Sequence, residues 1–144
     1  TGMVAGLATI TPASGFVGVQ GAMILGILGG VVCYVGVELI RIKLKIDDSL
    51  DVFAVHGIGG MLGTILCGYL MSTSFGGVGF DEGLSGIDHI KIQAYSVMVT
   101  LLWTATFTYV ILKVISIFIP LRVSEEEETT GLDTSSHGES GYNL

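Results

Sequence analysis

The chain has 144 residues, of which 50% are hydrophobic and 13% charged, with 22 glycines, a mean hydropathy of +0.75 and a formal net charge of −7 at pH 7. Soluble domains typically carry about 25% charged residues, so the composition excludes an ordinary soluble domain and indicates a membrane protein. The negative charge is concentrated near the C-terminus and no basic patch interleaved with aromatic residues occurs, which excludes a nucleic-acid-binding protein.

Long apolar segments predict where the chain crosses a membrane, since a helix needs about 20 predominantly apolar residues to do so. In chain order these segments are about 1–11, which is short, and then 15–40, 51–71 and 90–120. The first indicates the C-terminal part of a helix that begins upstream, so we expect the chain to be a piece of a longer protein. We predict an all-α fold, a polytopic membrane helical bundle over residues 1–122, followed by a hydrophilic tail at 123–144.

Basic residues beside the spans predict their orientation. Arg41, Lys43 and Lys45 follow the second apolar segment, and Arg122 follows the last one. By the positive-inside rule, the loop after the second segment and the C-terminal tail face the cytoplasm. We therefore expect a multi-pass protein of the cytoplasmic (inner) membrane.

Two pairs of glycines lie four residues apart within the apolar segments. Gly26 and Gly30 form one pair, and Gly59 and Gly63 form the other. Small residues at this spacing let helix backbones approach closely in lipid, although glycine is also common in membrane helices generally. We predict a tightly packed bundle.

The segment DVFAVHGIGGMLG places one ionisable ring, His56, within an apolar run. On a regular helix Val52, Gly59, Gly60 and Gly63 share its face. Ionisable groups inside membranes are costly and usually face a pathway or the bundle interior. Two interpretations stay open on spacing alone: a residue of a conducting pathway, or a neutral histidine hydrogen-bonded to a neighbouring helix.

Other potential metal ligands are few. His89 lies near the predicted outer surface and His137 in the tail, so neither reaches His56 at membrane depth. Cys33 and Cys67 lie in apolar runs without a CxxC spacing, which favours packing over a metal or disulfide role. We predict no metal site, no cofactor and no enzymatic activity.

Three aspartates precede the His56 segment. Acids at a helix N-terminus cap free amides and complement the helix dipole, and Asp51 is well placed to do so. The alternative is that Asp48 or Asp51 shapes a cytoplasmic mouth or a docking surface.

The C-terminal tail contains two contrasting stretches. SEEEETT is a charge run typical of disordered segments, whereas GLDTSSHGESGYN offers Gly131 for a turn, capping candidates at 133–136 and a terminal Tyr142. We therefore treat the tail as a separate region.

Three motifs together resemble one known family. DDSLDVFAVHGIGGMLGTILCG, GLATITPASGFVGVQGA and GLDTSSHGESGYN are similar, in order and spacing, to parts of the bacterial members of the ammonium transporter family (Amt/Mep/Rh). The resemblance implies an eleven-helix, homotrimeric protein with a hydrophobic pore in each subunit, of which this chain would be helices eight to eleven plus the tail. His56 matches the second of two pore histidines, and Val52 matches a pore-lining position. The first histidine, the outer cation site and the phenylalanine gate would lie upstream.

The same resemblance implies ammonium or ammonia transport with histidine-assisted deprotonation. It also implies that the tail couples the pores and that a trimeric PII-type nitrogen regulatory protein docks at the cytoplasmic face. The positions of the tail that we single out as regulatory are Gly131, Asp133, Ser135, His137 and Gly138. Two other readings stay open: an ammonium sensor of the same fold, and a membrane fragment with a purely structural role.

Overall fold

The structure is a computed structural model that describes residues 1–141. These residues form helices and turns and include no strand, and three of the helices are long and apolar enough to cross a membrane, so the predicted all-α membrane fold is confirmed. The chain divides into two compact units, Thr1–Leu101 and Leu102–Leu144. The helices are α1 (Gly2–Ile10), α2 (Val19–Val37), α3 (Ile58–Leu70), α4 (Gly86–Ile115) and α5 (Glu125–Thr130).

The connection between α1 and α2 is determined by Pro12. Proline lacks an N–H and tolerates a first helical turn, and here it lies in the short 3₁₀ turn Thr11–Ala13 that ends α1. Gly15 follows with φ +85°, a conformation that favours glycine, and Gly18 is extended. As a result α2 begins at Val19, four residues later than the apolar pattern alone suggests.

Wide π turns lengthen two of the helices. Glu38–Lys43 continues α2 as a π turn, and Phe53–Gly57 forms another immediately before α3. The continuous apolar helices are therefore Val19–Lys43 and Phe53–Leu70. The second π turn contains His56, and such turns are frequent at functional sites.

Thr9 lies where α1, α2 and α3 meet. Its side chain is fully buried, and its hydroxyl donates to the carbonyl of Ala5 at 2.8 Å. Gly29 of α2, and Gly59 and Gly63 of α3, all face it so closely that a Cβ at any of them would press on Thr9. Only the absence of side chains at these positions allows the three helices to pack at this distance.

The two predicted glycine pairs have different surroundings. Gly59 and Gly63 pack against Thr9, as close helix contact requires, whereas a Cβ at Gly26 or Gly30 would meet no described atom within 4 Å. In α2 the packing is made instead by Gly21, Gly29 and Gly36, which recur about every two helical turns on one side of the helix.

The core of the first unit consists of two apolar clusters. One contains Ala13, Leu25, Cys67 and Leu70, and the other Ala5, Cys33 and Val55. Both cysteines are buried and free. The predicted packing role of Cys33 and Cys67 is therefore confirmed.

The loop between α3 and α4 is joined to the connection between α1 and α2 and to the end of α3. The N–H of Val78 donates to the carbonyl of Phe16 at 3.0 Å, and the N–H of Gly79 donates to the carbonyl of Met71 at 2.8 Å. The loop is thus fixed to the helices by backbone bonds at two points.

α4 extends over Gly86–Ile115, whereas the apolar pattern indicates about 90–120. The helix begins earlier because the Asp88 carboxylate accepts hydrogen bonds from both the N–H and the hydroxyl of Ser85. It ends before Pro120, which cannot continue a helix.

Candidate functional site

His56 is exposed in the described chain and faces an open cavity between α1 and the Phe53–Leu70 helix. The cavity has a volume of about 330 Å³. Its wall on the side of α1 is formed by Ala8, Thr11 and Pro12, and its wall on the side of α3 by His56, Gly60 and Thr64.

The glycine-rich surface around His56 divides into two sides. Gly60 lines the cavity together with the histidine, whereas Gly59 and Gly63 turn towards Thr9 and hold α1 in place. The sequence predicted that these glycines share one face with His56, whereas the structure divides them between the cavity and the contact with α1. Val52 is half-exposed and is not among the residues that line this cavity.

The cavity offers few hydrogen-bond donors. The hydroxyl of Thr11 donates to the carbonyl of Leu7 at 2.6 Å, and that of Thr64 donates to the carbonyl of Gly60 at 2.8 Å. Both hydroxyl hydrogens are therefore engaged by the backbone, and the hydroxyl oxygens remain acceptors. The ring of His56 has no hydrogen-bond partner among the described residues, so its two nitrogens are its polar contribution to the cavity.

Asp48, and not Asp51, caps the His56 segment. Its carboxylate accepts from the N–H groups of Val52 at 2.7 Å, Phe53 at 2.9 Å and Ala54 at 3.4 Å. One side chain therefore satisfies three amides that have no partner within the helix. The prediction that Asp51 caps this helix is wrong, because three intervening residues let the Asp48 side chain fold back over the first turn.

Asp51 instead ties the end of α2 to the start of the His56 segment. It is 8% exposed, its backbone has φ +55°, and its carboxylate lies 3.2 Å from the guanidinium of Arg41. The hydroxyl of Thr1 is 3.5 Å from its other oxygen. The carboxylate is thus held at the junction of three chain segments.

We expect Asp51→Ala to lower the free energy of unfolding of the full-length protein by about 1–2 kcal/mol. The expected loss is smaller than that for a fully buried ion pair because Arg41 is half-exposed. Thermal unfolding in detergent measures this, and Arg41→Ala and the double variant complete a double-mutant cycle. Lys43→Ala is the control, for which we expect no change. Additive losses from Arg41→Ala and Asp51→Ala would show that the pair does not stabilise the junction.

His89 is buried at the start of α4 and separate from the cavity lining. It is 5% exposed, its ring stacks on Phe80 at 5.5 Å between centroids, and its Nε2 accepts from the N–H of Asp81 at 3.4 Å. The backbone of the same residue lies against Gly68 of α3. Among the described residues, no group of three or more His, Cys, Asp or Glu side chains is arranged to hold a metal.

The acidic run of the tail forms a helix, which corrects the expectation of disorder. Ser124 and Glu127 form a reciprocal capping box at the start of α5. The guanidinium of Arg122 binds the carboxylate of Glu128, with one of its two contacts at 2.9 Å. Four glutamates in the first turn complement the helix dipole. The run therefore folds because its charges lie where a helix N-terminus favours them.

The predicted regulatory positions of the tail follow α5 directly. Gly131 ends the helix with φ +90°, Asp133 and His137 bound a π turn, and Gly138 closes that turn with φ +65°. The hydroxyl of Ser135 donates to the carbonyl of Gly131 at 3.0 Å, so this serine bonds backward instead of capping a new helix. Tyr142 lies outside the described residues.

The tail helix has a predicted pH dependence. Hydrogen bonds from the side chain and then the backbone of Ser124 hold the pKa of Glu127 below its ordinary value of 4.5. A carboxyl whose pKa is lowered by folding stabilises the helix above its unfolded pKa, and the contribution is lost as the pH falls through the folded value. We expect α5 to unfold on acidification below pH 4.5.

Amide NMR shifts of the tail measure this transition. Glu127→Gln is expected to reduce the change with pH more than Glu126→Gln does, because Glu126 contributes only to the dipole interaction and lies outside the capping box. Equal changes in these two variants would contradict the capping role of Glu127.

The sequence did not indicate four of the six residues that line the cavity. Ala8, Thr11 and Pro12 come from the short first helix, and Thr64 comes from two turns beyond His56. The TITP turn was the one sequence signal for the α1 side of the cavity, because Pro12 ends α1 at this point.

The fold and the site define a polytopic helical membrane protein with a histidine-lined cavity between its helices. The sequence profile of the Ammonium Transporter Family matches residues 1–142, and the chain belongs to that family. It is similar to the ammonium transporter of Bacillus subtilis (44% identity over 143 residues, 99% of this chain and 35% of the relative). It is also similar to the ammonium transporter of Aquifex aeolicus (43% identity, 100% of this chain, 34% of the relative) and to ammonium transporter Amt1 of Archaeoglobus fulgidus (41% identity, 99% and 36%). The chain spans about a third of the length of these relatives, whose names describe transporters and not enzymes.

Proposed function

We propose that the protein containing this chain moves ammonium across a membrane by releasing its proton, and that His56 takes part in handling that proton. The observation that carries the proposal is the position of His56 on the wall of a cavity that otherwise consists of small or apolar residues and two threonines whose hydroxyl hydrogens are engaged. Membership of the Ammonium Transporter Family supplies the substrate class.

Free energies favour deprotonation over passage of the intact ion. Transfer of an ion of this size into a low-dielectric medium costs on the order of 20 kcal/mol in the Born limit, and several kcal/mol after relaxation. Removing a proton at pH 7 from an amine-like group with a pKa of about 10 costs roughly 4 kcal/mol. Neutral ammonia is therefore the species that an apolar pore passes more readily, and potassium, which has no proton to release, is excluded.

The imidazole of His56 suits this chemistry. Its neutral form has one donor nitrogen and one acceptor nitrogen, so it can orient ammonia and accept or relay a proton. We propose that its partner is a second histidine on a helix upstream of this chain, and that Val52 lines the pore one turn away.

The further parts of the proposal concern assembly and regulation. We propose a homotrimer in the lipid bilayer of the cytoplasmic membrane, with the α2–α3 loop and the tail in the cytoplasm, and with Asp48 and Asp51 at the inner mouth. The turn between Gly131 and Gly138 is the segment we propose for coupling the subunits and for contact with a PII-type regulatory protein. Its short, glycine-bounded shape supports such a role, since surface turns commonly carry regulatory contacts.

The test is reconstitution of the full-length protein in liposomes. In this proposal the released proton is relayed through His56 and its partner to the inner side, where it rejoins ammonia, so one positive charge crosses with each ammonium. We therefore expect an inward charge movement when ammonium is added outside and none when potassium replaces it. Absence of an ammonium response from protein that is correctly assembled would overturn the proposed transport function.

A further inference from the structure

We propose that the turn at residues 81–84, in the loop between α3 and α4, is a pH-sensitive latch. Neutral His89 holds this turn against α4, and protonated His89 releases its backbone. The inference goes beyond the proposed transport function and does not depend on it. In the proposed orientation the turn lies on the side of the membrane opposite the α2–α3 loop, so the pH to which it responds is that outside.

The turn is a short segment between two fixed points. The N–H of Leu84 donates to the carbonyl of Asp81 at 3.1 Å, and Gly83 has φ +81°, which closes the turn. Before it, the backbone bonds of Val78 and Gly79 hold the loop to its neighbours. After it, the cap described for α4 begins that helix. A conformational change can therefore be confined to the turn itself.

The bond that joins the turn to α4 requires a neutral ring. The side chain of His89 is buried, and its Nε2 accepts from the N–H of Asp81 at 3.4 Å. The backbone of His89 lies against Gly68 of α3, and its ring stacks on Phe80, so the ring is held from two directions. A ring nitrogen can accept a hydrogen bond only while it carries no proton. Protonation of Nε2 therefore breaks this bond.

The same loop residue offers a partner for the protonated ring. The carboxylate of Asp81 lies 3.8 Å from Nε2 and is 78% exposed, so it is free to turn. A protonated Nε2 is a donor, which opposes the N–H of Asp81 and attracts its carboxylate. The stacking on Phe80 tolerates the charge, because aromatic faces attract cations. The carboxylate thus replaces the amide as the partner of His89, and the amide is released to water.

The charged group in contact with the ring is Asp81. The other charged or titratable groups of the elements packed here are Glu82 of the turn, Asp88 and Lys91 of α4, and Cys67 and Tyr69 of α3. Asp88 and Lys91 pair with each other at 3.7 Å, Cys67 lies in an apolar cluster, and Tyr69 lies against Gly86. Histidine is the side chain whose charge ordinarily changes between pH 5 and 8, so the latch responds to mild acidification.

Hydrogen exchange of the full-length protein in detergent tests the latch at about pH 7.5 and about pH 5, the range over which histidine ordinarily titrates. Each exchange rate is divided by that of the unstructured chain at the same pH. We expect protection over residues 81–84 to fall about fivefold at the lower pH, the factor typical of one net hydrogen bond. His89→Gln keeps an acceptor that does not titrate, so we expect equal protection at both values. His137→Gln, in the tail, is the control and is expected to retain the wild-type change.

Asp81→Ala is the second variant, because it alters an exposed side chain and keeps the amide. The protonated ring then lacks its acceptor, so we expect the loss of protection to move to a lower pH. Protection that does not change with pH in the wild type, a wild-type response in His89→Gln, or an unchanged midpoint in Asp81→Ala would each overturn the inference. None of these results involves transport, so a failure of the latch leaves the proposed function intact.

Discussion

Ammonium transport by the full-length protein is expected to fall about 100-fold or more when His56 is replaced by Ala, the magnitude typical of removing a positioned proton acceptor. The reason is that the cavity wall then holds only hydroxyl oxygens and apolar groups, none of which titrates near neutral pH. Uptake of ammonium into liposomes, normalised to the amount of inserted protein, measures the effect.

The matched variant for this prediction is His56→Gln. Glutamine keeps one hydrogen-bond donor group and one acceptor but cannot bind a proton at physiological pH. We expect it to be as inactive as His56→Ala. Wild-type transport by the glutamine variant would mean that a polar contact suffices and that no proton passes through this side chain.

Gly63→Ala is expected to destabilise the bundle by about 1–3 kcal/mol or more, as overpacking of a close contact does. A Cβ at this position would collide with the carbonyl oxygen of Thr9 and lie 2.9 Å from Cγ of Pro12. A backbone oxygen cannot rotate away as a flexible side chain can, so α1 must separate from α3. A lower unfolding temperature and less assembled protein are the expected results.

Gly60→Ala is the control for Gly63→Ala. It makes the same chemical change in the same helix, and no described atom lies within 4 Å of its Cβ position. We expect this variant to unfold at the wild-type temperature. Equal unfolding temperatures for Gly63→Ala and Gly60→Ala would show that the close contact with Thr9 does not limit stability.

The helical architecture could be predicted because its cause is local. Apolar runs of sufficient length indicate membrane helices, and Pro12 and the neighbouring glycines mark the turn between the first two. The helix in the acidic run was missed because its stability depends on where the charges lie. Ser124 and Glu127 cap the helix together, and the number of like charges in the run does not indicate that capping.

The site could be predicted only in part. His56 could be identified because an ionisable ring within an apolar run costs free energy. The residues across from it could not be identified, because the contact between α1 and α3 joins positions about 50 apart in the sequence. The choice between Asp48 and Asp51 likewise depends on the path of the backbone. The left-handed conformation of Asp51 turns its side chain towards Arg41 and leaves the amides to Asp48.

The glycine spacing likewise did not determine which glycines make the helix contacts. Both pairs at a separation of four residues satisfy the pattern for close helix contact, yet only Gly59 and Gly63 face another helix of the described chain. In α2 the residue that contacts Thr9 is Gly29, one position before Gly30. A rotation of one position around a helix is about 100°, and the sequence does not specify which side of α2 meets Thr9.

We propose that ammonium gives up its proton at His56 before it crosses. The most direct measurement compares ammonium and potassium currents through the full-length protein and its His56→Ala variant in the same liposomes. We predict an ammonium current without a potassium current in the wild type, and an ammonium current at least about 100-fold smaller in the variant. A variant that carries ammonium at the wild-type rate and still excludes potassium would contradict the role of His56.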